Sequence, residues 1–195
     1  MPPTMNNNSK HKEPTQEQIE NLQYANKYVG LESFVQKRFH AGDVVGYRMV
    51  HDPIIPEDSL PVAVTRPRRP SVECTQEELK SMHESKTKGE KKEEVAKYGL
   101  SHFSNPIQCA LNLERQYKKI QAINPVEAEK YKEQFGTFIV RVNYTEKDGL
   151  VENRIDKKTG HFEFLPIKDF ELTNYIDEDF GIQPYQNYLS DEQDK

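Results

Sequence analysis

Phe138-Ile139-Val140-Arg141-Val142-Asn143-Tyr144 places Phe138, Val140, Val142 and Tyr144 on one side of the chain and Ile139, Arg141 and Asn143 on the other. That period of two is the signature of a β-strand with one apolar face. Asp148-Gly149 follows as a tight turn. A second strand is predicted over 150–155. A turn over 157–160 leads into a third over 161–165, and Pro166 breaks the run. Residues 170–176 read as a last strand. Turns this short leave no room for crossover helices, so the spacing predicts an antiparallel meander between residues 136 and 176. The expected core includes Phe138, Val140, Val142, Leu150, Phe162, Phe164, Ala110 and Leu111.

Working back from the strands, the signals turn helical. Asn105-Pro106 and Asn124-Pro125 each set a capping residue before a proline at the first helical position. They predict helices to about residue 120 and over 126–135. Thr15 with Gln18, and Thr75 with Glu78, have capping-box spacing and open two further helices. The first carries an apolar stripe of Ile19, Leu22, Ala25 and Val29, and a short helix over 31–39 continues it. Val44 to Val50 is β-branched and aromatic behind a Gly42-Asp43 turn, which predicts a strand. Five prolines between His51 and Pro70 predict an extended loop. The fold class is therefore α+β: N-terminal helices plus a small mixed or antiparallel sheet ending in a C-terminal β-meander.

With 195 residues, 34% hydrophobic and 30% charged, the chain fits one domain with polar ends. The expected division is a disordered tail over 1–14, a single domain over 15–180 and an acidic tail over 181–195. The Lys- and Glu-rich stretch 84–94 reads as a flexible insertion with a linker at Gly89. The net charge is −5, and residues 169–195 hold eight acids against one base. A broad nucleic-acid surface is not expected from that balance. Cys74 and Cys109 lie outside any Cys-x-x-Cys pair, which reads as a reduced, cytoplasmic protein. No stretch has the length of an apolar membrane span, and the N-terminus lacks the apolar centre of a secretory signal.

The densest set of chemically able side chains lies in Lys97-Tyr98-Gly99-Leu100-Ser101-His102-Phe103-Ser104-Asn105. Gly99 is expected to let the chain turn, and Pro106 fixes a helix start just beyond. The segment must then run from a strand end to a helix N-terminus, where unpaired amides favour anions. The six histidines show no metal-ligand spacing, so no metal site is expected. Phosphate-binding glycine loops and a Gly-x-Ser-x-Gly elbow are absent. A Ser-His-acid triad could be assembled from Ser101, His161 and an Asp, as in any chain of this size.

One ordered set stands out: Arg48 on an early strand, Ser101 at a strand edge before a helix, and Glu163 on a late strand. In that order the chain resembles the ADP-ribosyltransferase fold. The resemblance implies NAD binding in a cleft between two small sheets. It implies Arg48, Ser101 and Glu163 as catalytic residues and Arg48, His102 and Ser104 as contacts to NAD. Arg48 would hold the pyrophosphate, Ser101 would position the nicotinamide ribose, and Glu163 would support the ribosyl cation. Ser-His-Phe-Ser replaces the usual Ser-Thr-Ser of that family, and His161 stands where many members carry Glu or Gln. Two other readings stand beside this one. The acidic C-terminal segment, with Phe180, Tyr185 and Tyr188, suits a non-catalytic interaction or inhibitor protein that meets a protein partner. Arg66-Pro67-Arg68-Arg69 is the one compact basic cluster and suits nucleotide or RNA binding.

Overall fold

The computed structural model describes residues 12–65 and 74–189. The expected disorder before residue 12, the basic cluster of Arg66, Arg68 and Arg69, and the last six residues lie outside them. The elements in chain order are α1 (Gln16–Glu20), α2 (Glu32–Arg38), β1 (Phe39–His40), β2 (Val44–Val50), α3 (Val62–Thr65), α4 (Gln76–Glu84) and α5 (Lys88–Ala96). They continue with β3 (Leu100–Phe103), α6 (Pro106–Gln121), α7 (Pro125–Phe135), β4 (Phe138–Tyr144), β5 (Gly149–Glu152), β6 (His161–Pro166) and β7 (Ile182–Pro184). Among the described residues the strands form one antiparallel sheet in the order β1-β5-β6-β3-β2-β4-β7. The α+β class and the antiparallel sheet are thus as the sequence predicts, with most strands in the C-terminal half.

Pairing inside the sheet is less local than the alternation suggests. β5 and β6 form the expected hairpin, but β4 pairs with β2 and β7, not with β5. Residues 145–148 alone join β4 to β5; the five steps from Tyr144 to Gly149 reach at most about 18 Å, and the Asp148 amide draws them into a turn on the Thr145 carbonyl that holds the strand ends closer still. That distance suits two sheet layers packed face to face, about 10 Å apart. The packing agrees. Val44, Val50, Val140, Val142 and Tyr144 of β2 and β4 share one core with Leu100, Val151, Phe162 and Phe164 of β3, β5 and β6. The rings of Tyr144 and Phe164 stack across it at 4.0 Å. The sheet is therefore folded over on itself. Its fold line is the β2–β3 junction, where Tyr47 opposite Phe103 is the only paired position.

Helices cover the outer faces. Over β5 and β6, Leu150 and Leu165 pack against Ile19, Leu31, Val35 and Val95 of the N-terminal helices and α5. Over β3, β2 and β4, Phe103 and Ile139 pack against Cys109, Ala110 and Leu113 of α6. Leu113, not Leu111, is thus the fully buried leucine of that helix. Gly136 joins α7 to β4 at φ 72°, and a Cβ there would lie 1.9 Å from the Val50 carbonyl oxygen. Only glycine fits that junction.

Four expectations need correction. The first helix ends at Glu20, because Leu22 bridges to Ile167 and the Gln23 amide donates to the Pro166 carbonyl. The backbone there serves the sheet end. Gly89 lies inside α5, which Thr87 and Glu90 open with a capping box, so 84–94 holds no linker at that glycine. Residues 170–176 are not a strand. Asp169 turns the chain at φ 60°, and a 3-10 turn over Leu172–Tyr175 puts Phe170 and Leu172 into the core. The last strand is β7, inside the stretch 181–195 expected as an acidic tail. Phe180 packs edge-on to Tyr47 at 5.5 Å, and Tyr185 is buried, so this segment belongs to the body.

Candidate functional site

Past Tyr47 and Phe103 the strands β2 and β3 diverge. The Ser101 carbonyl then has no strand partner from β2, and the Arg48 guanidinium fills the gap. Its Nη1 donates to Ser101 O at 3.2 Å, its Nε to Asp58 O at 3.1 Å and its Nη2 to Leu60 O at 3.5 Å. Burial lowers the pKa of Arg48, and the neighbouring Tyr144 and Asp58 oppose that. Arg48, expected as a pyrophosphate anchor, thus acts first as a strut between β3 and the loop after β2. A guanidinium has five N–H donors, so two remain for a ligand.

A cleft of about 490 Å³ opens at this divergence. That size lies within the range of small-molecule sites. Ser101, Phe103 and His161 form its floor, Arg48, Asp58 and Leu60 one wall, and Asn112, Gln116, Tyr131 and Glu133 of α6 and α7 the other. The lining mixes aromatic rings with amide and hydroxyl groups.

Antiparallel pairing sets Ser101 directly opposite Glu163, with Phe103 opposite His161. All four side chains share the helix-covered face, because alternate strand residues point the same way. Ser101 Oγ donates to Glu163 Oε1 at 3.2 Å, and His161 Nε2 lies 3.3 Å from the same oxygen. Burial works against charge on His161, but the hydrogen bond and charge of Glu163 prevail and its pKa is raised. Glu163 is 6% exposed, and its Oε2 is buried with no hydrogen-bond partner among the described residues. That oxygen lies only 2.9 Å from where a side chain on Gly99 would begin. Gly99 therefore makes room for the carboxylate; it does not adopt a left-handed turn.

Arg48 and Glu163 thus meet at Ser101, Arg48 on its main-chain oxygen and Glu163 on its hydroxyl, in one hydrogen-bonded line whose Glu163 end lies outside the cleft lining. His102 and Ser104 do not join it. His102 points to the opposite face, fully buried, with Nδ1 bonded to Leu100 O and Nε2 to Tyr144 Oη. Strand alternation after Ser101 requires this. Ser104 is exposed beside Gly160, whose carbonyl accepts its amide, and it lies outside the cleft lining. The triad geometry of a serine hydrolase is also missing, since Ser101 donates to the acid and not to the imidazole.

Two residues with clear roles here were not singled out from sequence: His51 and Asp58. Asp58 Oδ2 accepts the amides of His51 and Ile55, and Oδ1 meets His51 Nδ1 at 2.8 Å. The signal was Ile55-Pro56-Glu57-Asp58, a proline-started turn with an acid placed to cap it. Among the described residues no group of acids, histidines and cysteines could hold a metal ion, and no helix is long and apolar enough to cross a membrane. Comparison with protein-family models, curated proteins and solved structures finds no match.

Proposed function

We propose that the cleft binds NAD as a substrate and that the chain is an ADP-ribosyltransferase-like transferase. One observation carries this reading: Arg48, Ser101 and Glu163 meet in a hydrogen-bonded line where the two sheet layers part. Arg48 and Ser101 line the cleft, and Glu163, itself outside the lining, is joined to it through the Ser101 hydroxyl. Ser101 presents its hydroxyl at the floor and is placed to orient a ribose. Glu163 lies directly behind Ser101, and in this reading its negative charge acts through the Ser101 hydroxyl on a ribosyl cation that develops as nicotinamide departs. Stabilisation of charge that exists only in the transition state accelerates the reaction. The two remaining N–H groups of Arg48 suit a phosphate oxygen. The reading rests on these three residues, without His102 or Ser104.

A protein partner at the C-terminal segment is a separate matter. Phe180 and Tyr185 are engaged with the body, so a partner there would meet carboxylates more than rings.

The test is thermal melting with NAD, joined to an assay of nicotinamide release. Wild-type protein should melt higher with NAD and release nicotinamide. Glu163→Gln should retain the melting shift and lose about 100-fold or more in release, the scale of removing one transition-state contact. Absence of both the shift and the release in wild-type protein overturns the proposal.

A further inference from the structure

We infer that His51 is a protonation-dependent latch joining the two walls of the cleft. This goes beyond the NAD reading, because it stands on the walls and not on what lies between them. His51 follows β2 directly. Its Nδ1 is 2.8 Å from Asp58 Oδ1, and its Nε2 is 2.8 Å from the main-chain oxygen of Glu133. The first partner belongs to the 3-10 turn Pro56–Ser59 on one wall, the second to the last turn of α7 on the other.

The proton count follows from the partners. A carbonyl oxygen can only accept. A carboxylate likewise only accepts; that of Asp58 takes two amides at Oδ2 and turns Oδ1 to His51 Nδ1. Both imidazole nitrogens must therefore donate, which only the protonated ring can do. The positions of the charges agree. Asp58 and Glu57 face the ring from the 3-10 turn, and the Glu133 carbonyl sits at the negative end of a helix. Arg48 of β2 opposes them, but it is held on the Asp58 and Leu60 carbonyls. Burial disfavours the charged ring, yet the Glu133 and Asp58 contacts outweigh it and the pKa of His51 is raised.

Loss of the proton leaves one N–H for two acceptors. The carboxylate keeps it as the stronger partner. Nε2 then turns a lone pair on the Glu133 oxygen at a distance where two acceptors repel. The α7 wall separates from the 3-10 turn, and the cleft widens as pH rises through the His51 transition. Below the transition the latch is closed.

The experiment is an NMR titration of the full-length wild-type protein from about pH 5 to about pH 9, the range in which histidine changes charge. It follows the His51 ring together with the amides of Ile55, Asp58, Glu133 and Gln134. The His51 midpoint should lie above 6.5, its ordinary value. Amides on both walls should shift with that same midpoint. H51Q should abolish the shared transition while its remaining spectrum reports a folded chain. If H51Q does not fold, the wild-type midpoint and the two-wall shift still decide. A midpoint at or below 6.5, or a transition confined to one wall, overturns the latch.

Discussion

His102 shows how strongly a single strand position constrains chemistry. It lies in an aromatic cage, stacked on Phe162 at 5.6 Å and edge-on to Tyr144 at 5.4 Å. The Leu100 carbonyl fixes the proton on Nδ1, so Nε2 accepts from the Tyr144 hydroxyl. Burial, aided by the charge of Arg48, pushes the pKa of His102 down from 6.5 to about 3. The unfolded chain takes up a proton near 6.5 and the folded chain only near 3. Between those values the unfolded state binds more protons, so stability falls as pH falls. The expected loss is about 1.4 kcal/mol for each pH unit across that window. Urea melts at a series of acidic pH values should show a steeper loss in wild type than in His102→Phe, and equal slopes would refute the assignment. The same residue shows what was legible of the site. Periodicity was enough to put Ser101 and Glu163 on strands, and the pairing of β3 with β6 then sets them opposite each other. His102 was misplaced because one step along a strand reverses the face, and the register was not fixed in advance.

Capping chemistry was the most legible feature of the elements, and its one omission is instructive. Thr15, Thr75, Asn105 and Asn124 each cap a helix through the side chain, as their spacing predicts. Thr87 and Glu90 have the same spacing, but the surrounding Lys and Glu run hid it, and Gly89 suggested a break. Tertiary contacts decide here. Val95 is buried at the inner end of α5, and Lys86 and Lys97 both bond Glu94. Thr87→Ala should cost about 1 kcal/mol, the usual loss of a capping hydroxyl. Chemical denaturation checks this; no change in midpoint would mean that packing alone holds α5. The strands tell the opposite story. Their existence was plain from periodicity, whereas their partners were not. Periodicity reports which residues share a face and says nothing of which strand lies alongside.

At the scale of the whole molecule, the order of the sheet bears on how the chain acquires it. β1 pairs with β5, β2 with β4 and β3 with β6. Each of the first three strands finds its main ladder among the last four, and the β2–β3 contact is a single pair. A nascent chain emerging from the ribosome would therefore carry three strands with almost nothing to pair with until β4 and its successors are made. Non-local pairing is slow, because loop closure precedes any reward from contact. Folding should be a late, cooperative event on the millisecond-to-second scale typical of such topologies. A fragment ending at Gly136 retains α1 to α7 but lacks every partner strand except β2 and β3 for each other. Circular dichroism and amide exchange should find no protected sheet in it, and addition of residues 137–195 as a separate peptide should restore protection. Stable strands in the fragment alone would contradict this order of assembly. Until β4 to β7 have been made, β1 to β3 would present unpaired edges, the feature that opens a chain to proteases and to self-association.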